Sequence, residues 1–283
     1  MKKSLILAAG VGLWVPFSLS TVMAAPMPAK IIDIYSGGFK DDYPQALVRV
    51  RSYVLSVQSD IATLYGLQYG QGFLHPVTIR FDDGAPAVSE NPYFYVQTKG
   101  SGSTFQQELI VNVEAYAKRR QDWSTNESTL RGGFRYALSE VMLNDIAAGD
   151  SDKALPLWVQ EGLSVYASGN GEAFVQALSE RVRRSKVGDL VGELNRPSPY
   201  LVTKDWALYY LAVKYIASTG GLQAFVRSMT SGKSGADTLR DVLSQEWPVF
   251  EDHVHASALQ ALAGYAMSDE DEGQSSSGSH SGH

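Results

Sequence analysis

Glu161 stands where a carboxylate is hard to accommodate. It follows Trp158 by three residues and precedes Val165 by four, and on a helix those spacings put all three on one face. A charge set in an apolar, aromatic stripe must be paired, protonated, coordinated or turned toward a cleft, because burying it alone is costly. A second carboxylate, Glu140, lies upstream in Phe134-Arg135-Tyr136-Ala137-Leu138-Ser139-Glu140-Val141-Met142-Leu143, also of helical pattern. Two such carboxylates can serve as general acid and base, as in glycoside hydrolysis, or contribute to a metal site. Each has a plain structural reading too: Glu140 as a solvated helix residue, Glu161 as the partner of Arg131 or Arg135. Other motif matches fail on context. Gly162-Leu163-Ser164-Val165-Tyr166 starts like a nucleophile elbow but lacks the second glycine and lies within a helix pattern. Gly232-Lys233-Ser234 lacks the upstream glycine of a phosphate loop, since Arg227 holds that place. Arg181, Arg183, Arg184 and Lys186 form a short basic cluster, read as a solvated helix end or a contact for an acidic partner.

The segment Trp158-Val159-Gln160-Glu161-Gly162-Leu163-Ser164-Val165-Tyr166 resembles the Trp-x-x-Glu-Gly-x-x-x-Tyr element of the gluzincins, the thermolysin-like zinc peptidases also described as peptidase MA-like domains. The resemblance implies that Glu161 corresponds to the third protein ligand of the zinc, with Trp158 and Tyr166 beside the cleft. It also implies an upstream helix bearing His-Glu-x-x-His, whose imidazoles grip the metal while the glutamate acts as general base. Counting back by the family's spacing lands on Ser139-Glu140-Val141-Met142-Leu143. Glu140 matches the base, whereas Ser139 and Leu143 stand at the two imidazole positions. A catalytic zinc of this kind needs about three protein ligands and a water. Leu143 has no donor atom and Ser139 offers a neutral hydroxyl, so Glu161 alone remains of the ligand set. His75 precedes a proline at a strand start, His253 and His255 point about 200° apart on a helix, and His280 and His283 fall in a Gly/Ser-rich tail. None has metal-ligand spacing relative to Glu161.

The elements that must position these residues are legible as periodicities. Ile31-Ile32-Asp33-Ile34-Tyr35 reads as a strand; Leu47, Val50, Val54, Val57, Ile61 and Leu64 then predict one long helix with a single buried stripe. Residues 76–81, 93–98 and 109–113 read as strands, the first closed by the turn signal Asp82-Asp83-Gly84. From Glu127 the pattern turns helical, with starts predicted near Glu127, Leu157, Gly171, Thr203, Gly221, Ala236 and Trp247. The predicted fold class is α+β: a small N-terminal sheet lobe with a long helix over residues 25–126, then a helical C-terminal lobe over 127–267. That order of elements resembles zincin-like domains over roughly residues 30–266. Residues 268–283 are acidic, then Gly/Ser-rich, and are expected to be disordered.

The whole chain has 283 residues, of which 44% are hydrophobic and 19% charged, the balance of a globular protein in one large domain or two modest ones. Lys2 and Lys3 precede an apolar run over residues 5–22, followed by Val22-Met23-Ala24-Ala25, the layout of a secretory signal cleaved after Ala24. An uncleaved anchor is the other reading of a run that long. No later run matches it, so a cleaved product would not be held by the membrane. Loss of the two lysines takes the formal net charge from −6 to −8, which argues against a nucleic-acid partner. With no cysteine the chain needs no disulfide outside the cell, and a bacterial periplasmic or secreted location is expected.

The resemblance, with both imidazoles replaced, leads to an exported gluzincin-like protein that binds a peptide or protein ligand without hydrolysing it and needs no metal. Two alternatives stay open. One is an active metallopeptidase whose zinc is held by an atypical ligand set including Glu161, with Glu140 as base. The other is a structural or assembly module of the cell envelope. No feature of the sequence fixes the oligomeric state.

Overall fold

Runs of alternating β-branched and aromatic residues form four strands: β1 (Lys30–Asp33), β2 (Val77–Asp82), β3 (Phe94–Lys99) and β4 (Gln106–Asn112). The computed structural model describes residues 30–33, 56–67, 73–82, 93–112, 123–148, 155–184 and 202–275. Strand order in the sheet is β1-β2-β4-β3. The β1–β2 and β2–β4 pairs are parallel, in registers Ile31↔Ile79 and Ile79↔Leu109, while β3 runs antiparallel to β4 with Val96↔Leu109. In β4, Leu109, Ile110 and Val111 are all buried, as expected of an interior strand covered on both faces. This strand starts three residues before the predicted run. The polar Gln106, Gln107 and Glu108 have little strand preference of their own and are drawn in by pairing with Lys99, Thr98 and Gln97.

Parallel neighbours need a crossover, and the helix α1 at residues 56–65 lies in the one between β1 and β2. Its Val57 and Ile61 are buried and Leu64 packs against the core, as the stripe predicts; Leu47, Val50 and Val54 lie outside the described residues. The helical part comprises α2 (Trp123–Ala147), α3 (Leu157–Ser168), α4 (Gly171–Arg184), α5 (Val202–Ser218), α6 (Leu222–Thr230), α7 (Gly235–Leu243) and α8 (Trp247–Ser275). The described structure is thus mixed α and β, mostly helical, and the predicted helix starts hold to within a few residues. Helix α8 continues eight residues into the acidic segment expected to be disordered, because extending an existing helix avoids the cost of nucleation. Residues 1–24 and 276–283 lie outside the described residues. Among those described, no helix is long and apolar enough to cross a membrane.

One hydrophobic cluster runs from the sheet residues Ile79, Leu109 and Val111 through Leu138 and Val141 of α2 to Leu163, Val213, Phe225, Leu239 and Phe250. The change of pattern near residue 126 therefore separates two kinds of sequence but not two cores. Helix α2 sits at the centre, against β3, β4 and α3. Helix α3 is pressed so tightly on α5 that a Cβ on Gly162 would lie 2.5 Å from the Tyr209 carbonyl oxygen. It ends at Gly169, whose φ of 76° is the left-handed conformation glycine adopts without strain.

Gly162→Ala should force α3 and α5 apart, since the atom it meets is main chain and cannot swing away. Overpacking of this kind costs about 1–3 kcal/mol, read as a drop in Tm of roughly 3–10 °C by circular dichroism. An unchanged Tm would show that the helices have room to separate.

Candidate functional site

Helices α2 and α3 lie antiparallel along a polar seam. Reading up α3, Gln160 Nε2 donates to Asn144 Oδ1 at 3.4 Å, Ser164 and Ser139 hydroxyls meet at 3.1 Å, and the Ala167 carbonyl accepts from Arg135 Nε at 2.7 Å. This register brings Glu140 and Glu161 together, with Tyr136 between them. The Tyr136 hydroxyl donates to Glu161 and is also hydrogen-bonded to Glu140. Its ring leans on Trp206 of α5 at 5.9 Å, and Trp206 in turn meets Phe174 of α4 edge-on at 5.2 Å. Arg135, one of the two arginines considered for Glu161, instead pairs with Asp60 at 3.3 Å and with the Ala167 carbonyl.

Burial, reinforced by the negative charge of Glu161, pushes the Glu140 carboxyl up to about 8. At neutral pH Glu140 is therefore mainly the protonated member of the pair, as one of two carboxyls sharing an enclosed site must be. A neutral carboxylic acid, a carboxylate and a phenol in mutual contact can hold one proton close to neutrality and present both donors and acceptors to a ligand.

Ser139 and Leu143 lie beside that cluster around the axis of α2 and are fully buried. The Tyr65 hydroxyl of α1 donates its single proton to the Leu163 carbonyl at 2.9 Å. At the 2.6 Å contact between Tyr65 and Ser139 the serine must then be the donor, and Ser164 must donate to Ser139 in turn. Burial holds the Tyr65 hydroxyl well above the ordinary tyrosine range, against the opposing effects of the Ser139 bond and the Arg135 charge. The donor set does not fit a catalytic zinc: of the three positions likened to zinc ligands, Glu161 alone offers a carboxylate, Leu143 has no donor and the Ser139 hydroxyl is committed. Among the described residues no three His, Cys, Asp or Glu side chains come together as a metal site.

Trp158 and Tyr166, expected beside the cleft, are half-buried in aromatic packing. Trp158 meets Phe225, Trp247 and Phe250 at 5.8–6.0 Å between ring centres, and Tyr166 lies against Tyr210 at 6.1 Å. His253 stacks on Tyr215 at 5.2 Å. The phosphate-loop lookalike is a helix cap, with Ser234 Oγ accepting from the Asp237 amide at the start of α7.

The carboxylate that sequence reasoning missed is Asp145. It is buried near the end of α2 and accepts from the amides of Leu74 and His75, at 2.6 and 2.9 Å, while His75 Nδ1 lies 2.9 Å from it. Burial raises its carboxyl above the usual aspartate range, and the bonds from Leu74 and His75 oppose that rise. Its signal was the one that marked Glu161, a charge at helical spacing from the apolar Val141 and Met142. This contact also removes His75 from any role beside Glu161.

Glu140 carries a checkable pH dependence. Its folded value near 8 exceeds the unfolded value near 4.5, so its protonated form favours folding; that contribution is full below 4.5 and is lost as pH rises through 8. The full span corresponds to roughly 5 kcal/mol. Thermal melts at pH 5.5 and 8.5 should show wild type losing more Tm with rising pH than Glu140→Gln, which keeps a neutral side chain throughout. Identical slopes would mean that Glu140 is already ionised near neutrality.

Compared with known proteins, the chain matches no family model, no curated protein and no solved structure, so the functional reading rests on its residues and their geometry.

Proposed function

We propose that this chain is an exported, gluzincin-like protein that binds an extended polypeptide segment and does not hydrolyse it. The observation that carries this reading is the fate of the two imidazole positions: Ser139 and Leu143 are sealed in the core, while the Glu140–Tyr136–Glu161 cluster keeps the family's carboxylates side by side. The antiparallel α2–α3 pair beside a small mixed sheet supports the zincin-like assignment. No step of zinc chemistry follows from such a donor set.

The ligand class is supported by the edge of the sheet. The Asn112 amide donates to the Tyr93 carbonyl at 2.9 Å, which makes Tyr95/Ile110, Gln97/Glu108 and Lys99/Gln106 the hydrogen-bonded pairs of the β3–β4 ladder. The main-chain groups of Val96 and Thr98 therefore point away from β4. Among the described residues no strand pairs with β3 on that side, and Gln97, Thr98 and Lys99 are exposed. An edge of this kind accepts an extended peptide by strand addition. It is joined to the site helix through Phe94, whose ring lies 5.4 Å from that of Phe134.

The test is fluorescence anisotropy with a labelled, reduced and carboxymethylated unfolded protein as probe, alongside Val96→Pro and Thr98→Pro. Proline at these positions removes an outward amide that β4 does not use and is tolerated on an edge. Binding by wild type, weakened about tenfold or more in the proline variants at nearly unchanged Tm, is expected, with the probe intact by mass spectrometry when zinc is added. Cleavage of the probe would instead establish a peptidase, and binding indifferent to both prolines would remove β3 as the docking edge.

A further inference from the structure

The hydroxyls buried between α1, α2 and α3 form a chain with one proton order: Ser164 to Ser139, Ser139 to Tyr65, and Tyr65 to the Leu163 carbonyl. Tyr65 and Ser139 are completely buried. The Ser139 side chain points at the end of the Tyr65 ring, 2.6 Å from its oxygen. An imidazole grown from residue 139 in that direction reaches well past a serine hydroxyl, into space that the Tyr65 ring already holds.

We infer that Tyr65 is a built-in plug: it fills the volume a ligand side chain at position 139 would need, and its hydroxyl relay ties α2 to α3 without any metal. This rests on the degenerate-gluzincin reading and extends it, because absence of zinc is then enforced from a third helix as well as by loss of two side chains. Each hydroxyl in the relay gives one proton and, apart from Ser164, receives one, so within the core a cation could gain Ser139 only by breaking the chain. The relay joins three helices through Tyr65 alone, since Ser139 and Ser164 touch each other but belong to α2 and α3.

The experiment uses the full mature chain in three variants: Ser139→His/Leu143→His with Tyr65 intact, the same pair combined with Tyr65→Ala, and Tyr65→Phe alone. Zinc content is read by elemental analysis after equilibration with zinc and dialysis, and folding by circular dichroism. The double variant should retain essentially no zinc, while the triple variant retains close to one equivalent and gains Tm on zinc addition. Tyr65→Phe, which leaves Ser139 and the Leu163 carbonyl short of a partner, should lower Tm by several degrees, to the same extent with zinc or with chelator. Zinc retained by the double variant overturns the plug while upholding the degenerate-site reading. A folded triple variant that stays zinc-free overturns both. If the histidine variants do not fold, Tyr65→Phe decides: a Tm equal to wild type shows that the relay ties nothing together.

Discussion

Two helices packed against each other in a protein core can share a polar seam only if every group in it finds a partner. That condition governs the middle of this molecule. Between α2 and α3 lie two carboxyls, a phenol, two serine hydroxyls, an amide pair and a guanidinium, and a third helix must supply Tyr65 to complete the pairing. Remove one partner and a buried donor or acceptor is left with nothing, which costs more than the bond itself contributes. The seam is therefore rigid in composition, and it is embedded in the main hydrophobic cluster.

The same condition explains why Glu140 and Glu161 can coexist. Ionising both in an enclosed space would set like charges against one another, so the first takes up a proton and the Tyr136 hydroxyl bridges the two. Beside Glu140 on α2, Ser139 and Leu143 solve the problem differently, one by committing its hydroxyl and the other by having none. Asp145 repeats the pattern near the end of the helix, where a carboxylate meets the unfavourable end of the helix dipole and is held there by two amides and an imidazole. On its other side α3 is held close to α5, a contact that Gly162 permits.

Local periodicity carried most of the elements. The strands at Val77 and Phe94 and the helices beginning at Leu157, Gly171, Leu222, Gly235 and Trp247 all arise from apolar spacing and breakers, which act over a few residues. The meeting of Glu140 with Glu161 was implied only by the resemblance, since the residues themselves do not fix how far apart two helices hold their carboxyls. Tyr65 was out of reach: in its own helix it is one more apolar position, and its partners lie far along the chain. Trp158 and Tyr166 illustrate another limit. An aromatic stripe beside a carboxylate has the same spacing whether it lines a cleft or packs a core, and the rings of α5, α6 and α8 decide the matter here. Asp145 had a legible position but illegible partners, because amides of a loop carry no sequence signature.

The Tyr65 contacts also bear on the order in which the structure can assemble. Ser139 and Ser164 are separated by 25 residues, whereas Tyr65 is 74 residues from Ser139 and 98 from the Leu163 carbonyl. Closing the shorter loop loses less chain entropy, which favours formation of the α2–α3 hairpin ahead of its docking with α1. In a chain emerging from its N-terminus, α1 is made long before the carbonyl that takes its proton. Until then the face of α1 that carries Tyr65 lacks the partners that bury it, so this helix depends on segments synthesised well after it.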